Sequence, residues 1–227
     1  MKNAVNEIIR DFKSQYNKNN LEGMARYGIN TEKAFGVSMP YLRKMGKAIG
    51  KNSGLALELW NTGYHEARIL ATIIAEPGKV TLKQMEQWSS DFDSWDVCDQ
   101  CCNNLFVDTP YAYKKAVQWS KQKKEFKKRA GFVLMAVLAV HSKELDYNAF
   151  ISMLEIIKRE AGDERNFVKK AVNWALRQIG KRNADLHKAA IKTAEEILEM
   201  DSKAAKWIAR DALKELNSEN LRIRNKK

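Results

Sequence analysis

Apolar side chains recur every three or four positions along nearly the whole chain, which is the spacing of an amphipathic helix. Val5, Ile8, Ile9 and Phe12 form such a stripe near the start. The segment 129–140 differs because it is apolar nearly all round, a pattern that predicts a helix buried between neighbours. Together these patterns predict helices over about 5–12, 40–49, 66–75, 82–88, 94–107, 110–121, 129–140, 147–159, 167–180, 184–200 and 203–216.

Capping residues indicate where several of these helices begin. Thr81 and Gln84 have the spacing of a capping box, and Asp93 and Asp96 stand at the expected N-cap and N3 positions of the next helix. The other predicted caps are Ser38, which precedes an early-turn proline, Asp146, Asn166 and Ser202.

This pattern gives an all-α protein of about ten to twelve helices joined by short links. Only 3 Pro and 11 Gly occur, which disfavours a fold of many short strands. Helix pairs recur about every 35–40 residues, the length of HEAT-type units, so we expect an α-solenoid of antiparallel pairs with a basic concave groove. We expect a single domain over 1–227, ending in a frayed basic tail at 221–227.

The charge balance indicates the kind of partner. Forty Lys and Arg against 28 Asp and Glu give a formal net charge of +12, which attracts nucleic acid or an acidic membrane face. Excess lysine can also serve as a solubilising surface. No apolar run is long enough to span a membrane and the first residues lack a signal-peptide pattern, so we expect a cytoplasmic monomer that has no membrane partner.

Metal and nucleotide chemistry find no support in the motifs. Cys98 and Cys101 form a C-x-x-C with Cys102 beside it, but no second pair of ligands follows at zinc-site spacing. We therefore expect the three thiols to be small buried hydrophobic groups. The histidines are scattered, and neither glycine-rich phosphate-binding motif occurs, so we predict no metal and no cofactor.

Trp95 and Asp99 are separated by one helical turn and hence lie on one helix face. A carboxylate beside an aromatic face suits a reaction in which positive charge develops on a sugar. A core tryptophan and a surface aspartate have the same spacing, and the spacing alone leaves both readings open.

Basic residues concentrate at 121–129, a run that a solvated loop would also show. Arg129 stands apart because it begins the apolar stretch, where a fixed guanidinium could grip a phosphate. Trp174 lies among Lys169, Lys170 and Arg177, where it is either a core residue or part of a site.

Four segments resemble one known family. SWDVCD resembles its W-x-x-x-D segment, EFKKRAGFVL its aromatic-x-x-R-A segment, RNFVKKAVNWALR a segment with a second tryptophan, and RYGINTEKAFGVSMPYLRKM its N-terminal segment. The chain thus resembles, over nearly its whole length and in order, the AlkD-like DNA glycosylases, the HEAT-like-repeat enzymes that remove alkylated bases.

The resemblance implies roles for single residues. Asp99 would stabilise the sugar and orient water, and Trp95 and Trp174 would pack against the deoxyribose. The implied substrate is duplex DNA with purines alkylated at N3 or N7, which are cationic and leave without a strong general acid. The implied DNA contacts are Tyr27, Lys127, Lys128, Arg129 and Arg177.

Two other functions remain open from the sequence. The same scaffold could bind unusual DNA structures without catalysis, showing salt-sensitive affinity but no base release. A helical-repeat scaffold could also present its basic face to an acidic protein, in which case it would have no affinity for DNA at moderate salt.

Overall fold

The computed structural model describes residues 2–219, 221, 223 and 224. Over these residues the chain forms thirteen α-helices and two 3₁₀ helices and contains no strand, which confirms the all-α prediction. The 3₁₀ helices are Pro77–Lys79 and Phe106–Asp108. The α-helices are α1 Lys2–Ser14, α2 Lys18–Arg26, α3 Met39–Ile49, α4 Ser53–Asn61, α5 His65–Ile74, α6 Leu82–Ser90, α7 Trp95–Asn104, α8 Ala112–Trp119, α9 Glu125–His141, α10 Tyr147–Glu160, α11 Asn166–Gly180, α12 Ala184–Leu198 and α13 Lys203–Leu216.

The helices group into two compact units, residues 1–109 and 110–227. The single domain expected from the sequence stays a prediction. The frayed tail expected at 221–227 falls partly on Arg222 and 225–227, which lie outside the described residues. Arg224 donates through its guanidinium to Oε1 of Gln178 at 2.8 Å and through its amide to the carbonyl of Lys181 at 2.8 Å.

The core of the first unit is built around α5, which packs against α3, α4 and α7. Trp60 and Trp88 stack face to face, with ring centroids 4.0 Å apart and planes inclined by 2°. The indole of Trp60 donates to Asp91 at 2.9 Å, and the guanidinium of Arg68 lies 5.5 Å from the Trp60 ring. These contacts join α4, α5 and α6. The bond to Asp91 also gives the buried N–H of Trp60 a hydrogen-bond partner.

The core of the second unit is built around α9, which packs against α8 and α11. Every residue of α9 from Lys128 to Ala139 is buried, which confirms the buried helix predicted from its all-round apolar pattern. Gly131 brings the helix close to the end of α8. A Cβ at this position would overlap the backbone of Ser120 and lie 2.8 Å from the carbonyl carbon of Trp119, so only glycine fits.

Three predicted caps are confirmed. The side chains of Thr81, Asp146 and Ser202 accept hydrogen bonds from the amides three residues on, at 3.1, 2.9 and 3.3 Å. The cap predicted at Asn166 is wrong by one residue, because the N-cap of α11 is Arg165. Ser38 is the N-cap of α3, as predicted, but its side chain makes no capping bond.

The start predicted for α7 is also wrong. Ser94 is the N-cap and Trp95 the first helical residue, whereas Asp93 lies in the preceding loop, 3.5 Å from Arg68. Asp96 does not close a capping box, because its carboxylate faces His65. Both acids have charged partners in space that the capping pattern does not reveal.

Two helices, α2 and α4, were not predicted. Each has nine residues, as α6 has, but neither begins with a capping-box pair such as the one that marks the start of α6. The first is KNNLEGMAR, which buries no residue at all. No helix in the part of the chain described by the structure is long and apolar enough to cross a bilayer.

Candidate functional site

Trp95 and Asp99 occupy the first two turns of α7, one turn apart and both half-buried. Their common helix confirms the prediction that they share one face. The indole N–H of Trp95 donates to the backbone carbonyl of Tyr27 at 3.0 Å. This bond ties the start of α7 to the end of α2, so the structure brings two residues together that the sequence treated separately.

Tyr27 is the C-cap residue of α2, and its amide donates to Met24 at 3.1 Å. Its side chain is 74% exposed. The carbonyl of Tyr27 thus holds Trp95, while the aromatic ring lies at the surface, where it can contact a ligand.

A buried histidine–aspartate pair braces the same turn of α7. Nε2 of His65, at the start of α5, lies 2.7 Å from Oδ2 of Asp96. Burial acts to lower the pKa of His65, but the hydrogen bond and charge of Asp96, with smaller contributions from Glu66 and Asp93, raise it above its ordinary value. Burial likewise acts to raise the pKa of Asp96, yet His65 holds it below its usual value. Both groups are therefore charged over a range of mildly acidic pH.

Glu66 organises the loop before α3. Its Oε1 accepts from the amides of Phe35, Gly36 and Val37 at 2.9, 2.7 and 3.2 Å. Gly36 has φ +77°, and a Cβ there would overlap the carbonyl oxygen of Asn17. Gly36 and Val37, which belong to the N-terminal motif segment, thus lie in a loop whose amides donate to the buried carboxylate of Glu66.

Three features of this region were not predicted: the His65–Asp96 pair, the Glu66 loop clamp and the contact of Trp95 with Tyr27. The paired residues lie 29 positions apart or more in the sequence, and no motif spacing connects them. The prediction that the three cysteines are buried is confirmed, because Cys98, Cys101 and Cys102 are all fully buried. Burial raises the pKa of the Cys101 thiol well above its ordinary value, which leaves it unreactive.

In the second unit, Arg129 is fixed in place. It lies in the second turn of α9 rather than in the first as predicted, because the helix begins four residues earlier, at Glu125. The residue is 6% exposed, and its Nη1 donates to the carbonyl of Phe167 at 2.6 Å. Phe126, one turn before Arg129, packs on the ring of Phe167 with centroids 5.5 Å apart. The aromatic-x-x-R-A motif therefore docks α9 on the start of α11.

The two lysines before Arg129 differ from each other. Lys128 is buried, and its ammonium lies 2.7 Å from Glu160 and 2.8 Å from Asp163. Burial acts to raise the pKa of Asp163, but Arg165 and Lys128 hold it well below its usual range. Lys127 is half-buried, with its Nζ 5.9 Å from the Trp119 ring. The DNA contact predicted for Lys128 stays a prediction. The ammonium of this residue is already paired with two carboxylates.

Trp174 and Arg177 lie on α11, three residues apart, and both are half-buried. The guanidinium of Arg177 forms ion pairs with Glu215 and, at 3.8 Å, with Asp211, both on α13. Asn173, next to Trp174, is buried and donates to the carbonyl of Ile208 at 3.1 Å. The helix that carries Trp174 is therefore held on α13 by polar contacts.

One exposed face of α13 concentrates positive charge. We call Lys203, Lys206, Arg210 and Lys214 the α13 basic face. Trp207 lies among them and is 40% exposed, with Nζ of Lys169 5.0 Å from its ring. Asp211, the acid within this face, is paired with Arg177. The face was not predicted from the sequence, although the spacing of its cations along one helix gives a signal.

The family model described as DNA alkylation repair enzyme matches residues 8–216, nearly the whole chain. This chain belongs to the DNA alkylation repair enzyme family. The family resemblance inferred from the four sequence motifs is thereby confirmed. None of the curated proteins matches the sequence.

Among solved structures, this member of the family is similar to one described as "a new family of proteins related to the HEAT-like repeat DNA glycosylases with affinity for branched DNA structures". The TM-score is 0.79 at 21% sequence identity, and the match covers 98% of this chain and 97% of the other. The likeness confirms the predicted HEAT-like repeat fold.

The residues that the family motifs predict for the site lie in both units. Tyr27, Trp95 and Asp99 lie in the first, where a hydrogen bond joins the first two and a common helix the last two. The others lie on α9 and α11 of the second, two helices that pack together: Lys127, Lys128, Arg129, Trp174 and Arg177. Within the described residues, no group of three or more His, Cys, Asp and Glu side chains is placed to hold a metal ion.

Proposed function

We propose that this protein is a DNA glycosylase that hydrolyses the N-glycosidic bond of purines alkylated at N3 or N7 in duplex DNA. The observation that carries the proposal is the half-buried Trp95–Asp99 face of α7, braced by the carbonyl of Tyr27 and by the His65–Asp96 pair. A rigid carboxylate beside an aromatic face can stabilise developing positive charge without reorganising during the reaction.

The reaction needs few protein groups. The bond between C1′ and N9 breaks with its electron pair leaving on the purine, which neutralises the positive charge of the alkylated base. Asp99 stabilises the cationic sugar, a water oxygen bonds to C1′, and its proton passes to the Asp99 carboxylate. Trp95 packs against the sugar, as the family resemblance also implies for Trp174, and no cofactor takes part.

Phosphate contacts hold the substrate in this proposal. Arg129 is the strongest candidate, because its bond to Phe167 fixes the guanidinium before DNA arrives. Tyr27 offers an exposed ring at the surface, and Lys127 adds positive charge. Arg177 would have to exchange its ion pairs with Glu215 and Asp211 for a phosphate. Lys128 contributes mainly by holding the end of α10 through Glu160.

The test is base release from methylated duplex DNA by the wild type and by Asp99→Asn. The amide keeps the shape of the side chain but loses its charge, so we expect excision of 7-methylguanine to fall by about 100-fold or more while duplex affinity is retained. Asp108→Asn is the matched control, an exposed acid just beyond α7 that should keep full activity. Equal release by wild type and Asp99→Asn would refute the catalytic role.

A second candidate function is binding of branched DNA without catalysis, which is favoured by the affinity described for the similar solved structure. It predicts tight, salt-sensitive binding of a four-way junction by the wild type, with no release of 7-methylguanine. Release that depends on Asp99 would exclude it as the whole function, and a lack of affinity for any DNA would exclude both candidates.

A further inference from the structure

Trp207, on α13 of the second unit, differs from the other tryptophans of the chain. Of the six, three are buried in the core, Trp95 and Trp174 are half-buried, and Trp207 is exposed. Tryptophan is on average a highly buried residue type, because its ring removes a large apolar surface from water. The side chain of Trp207 is 40% exposed, so a large part of its aromatic surface is available to a partner.

Cations flank this ring along the helix. Lys203 precedes Trp207 by one turn, and Arg210 and Lys214 follow it by one and two turns, so all three share its face of α13. They are exposed and form no ion pair with a described carboxylate. From the neighbouring α11, Nζ of Lys169 lies 5.0 Å from the ring. The aromatic surface therefore lies among positive charges from two helices.

The acids of α13 do not neutralise these cations, because they are paired with other residues. Asp211 lies 3.8 Å from the guanidinium of Arg177, and Glu215 forms ion pairs with Arg177 and with Lys181. The α13 basic face therefore keeps a net positive charge, which is complementary to a chain of phosphates.

The length of the α13 basic face suits a nucleic-acid strand. Lys203 and Lys214 are separated by about 16 Å along the helix, because each helical residue adds about 1.5 Å. A strand with stacked bases advances about 3.4 Å per nucleotide, so this face can follow roughly five nucleotides. The contacts of α13 with Lys169 and Lys181 show that it lies beside α11, the helix that carries Trp174.

A single strand uses both the ring and the charges of this surface, whereas a duplex uses only the charges. In a duplex the faces of the bases are covered by the neighbouring base pairs, so an aromatic side chain stacks on a base only where the strand is unpaired. An acidic protein segment would also complement the charges. Nucleic acid is favoured over it because the chain belongs to a family of DNA alkylation repair enzymes.

We propose that Trp207 and the α13 basic face bind single-stranded DNA, with a base stacked on the indole ring and the phosphates held by Lys203, Arg210 and Lys214. The bases belong to a strand that is already unpaired, such as the single-stranded arm of a branch, so none has to leave a duplex. The inference goes beyond the proposed reaction, because none of these residues takes part in it.

The test measures, by fluorescence anisotropy, the affinity for three probes: a blunt duplex, the same duplex with a single-stranded tail of eight thymidines, and the same duplex with an abasic tail of equal length and charge. We expect the wild type to bind the thymidine tail most tightly. Trp207→Ala should lose about fivefold or more in affinity for that probe, because base stacking is lost, and less than twofold for the blunt duplex. Trp207→Phe keeps an aromatic ring and should retain most of the affinity.

Tyr147→Ala is the matched control, because it removes an exposed ring from the same unit but from α10. It should bind all three probes like the wild type, and thermal unfolding establishes that each variant is folded. Equal affinity of the wild type for the thymidine and abasic tails, or an equal loss for tailed and blunt duplex in Trp207→Ala, would overturn the inference. The proposed reaction would stand in that case, since release of 7-methylguanine measures it separately. If the wild type bound none of the probes, both would fail.

Discussion

At the scale of single residues, the His65–Asp96 pair is an ionic contact whose charge state depends on pH. Its charged surroundings come from its own and neighbouring elements: Glu66 follows His65 on α5, and Asp93 lies in the loop before α7. Three acids thus surround one histidine. Nδ1 of His65 is buried without a hydrogen-bond partner among the described residues, 4.0 Å from Glu66. The cationic form is therefore the one that these surroundings stabilise.

The pH dependence of the pair follows from these shifts. The pKa of His65 is raised in the folded protein, so its stabilisation is fully present below the ordinary histidine value and is lost as pH rises through the folded value. The pKa of Asp96 is lowered, so its stabilisation is present above the ordinary aspartate value and is lost as pH falls through the folded one. The two ranges overlap at mildly acidic pH.

We therefore expect Asp96→Asn to cost about 2–3 kcal/mol of unfolding free energy near pH 5.5, and less at pH 8.5, because the stabilisation by the charged histidine is lost as pH rises through the folded pKa of His65. Chemical denaturation of both proteins at the two pH values measures this difference. Asp108→Asn, whose side chain is exposed, should change stability little at either pH. A cost for Asp96→Asn that is independent of pH would show that the pair does not carry an ionic interaction.

At the scale of helices, the close approach of α9 to α8 depends on Gly131. We expect Gly131→Ala to lower the unfolding free energy by about 1–3 kcal/mol, because the added methyl group overlaps backbone that cannot move aside. Gly23→Ala is the contrasting variant, since its Cβ meets open space in a helix. It should raise stability by about 0.5–1 kcal/mol. Equal effects of the two substitutions in thermal unfolding would contradict this account.

The helices also show how far sequence patterns reach. The bounds of α13 and its cap at Ser202 were predicted correctly, because a long apolar stripe and a capping residue agree there. The start of α7 was not, because Asp93 has a partner distant in sequence, Arg68. The same limit applies to the site. The spacing of Trp95 and Asp99 is enough to predict that they share one helix face. The bond from Trp95 to Tyr27 could not be predicted in this way, because it joins residues 68 positions apart in the sequence.

At the scale of the whole molecule, the cations behind the net charge of +12 differ in whether a carboxylate is already paired with them. Some lysines are neutralised locally, as Lys158 is by Glu155 and Glu196 at 3.0 and 2.9 Å. On the α13 basic face, by contrast, Lys203 and Arg210 are exposed and form no ion pair with a described carboxylate. When a lysine or arginine that has no carboxylate partner contacts a DNA phosphate, counterions are released from the DNA. Unpaired cations such as Lys203 and Arg210 therefore determine the salt dependence of DNA binding.

For this reason we expect the double variant Lys203→Gln/Arg210→Gln to weaken duplex binding and to reduce the slope of log K against log salt concentration by about 1–2. Lys158→Gln removes the same kind of charge from the same unit, but the cation it removes is already paired, so its slope should equal that of the wild type. Fluorescence anisotropy titrations at several salt concentrations measure all three slopes. If the double variant kept the wild-type slope, the α13 basic face would not contact phosphates, and the exposed Trp207 at its centre would need another partner.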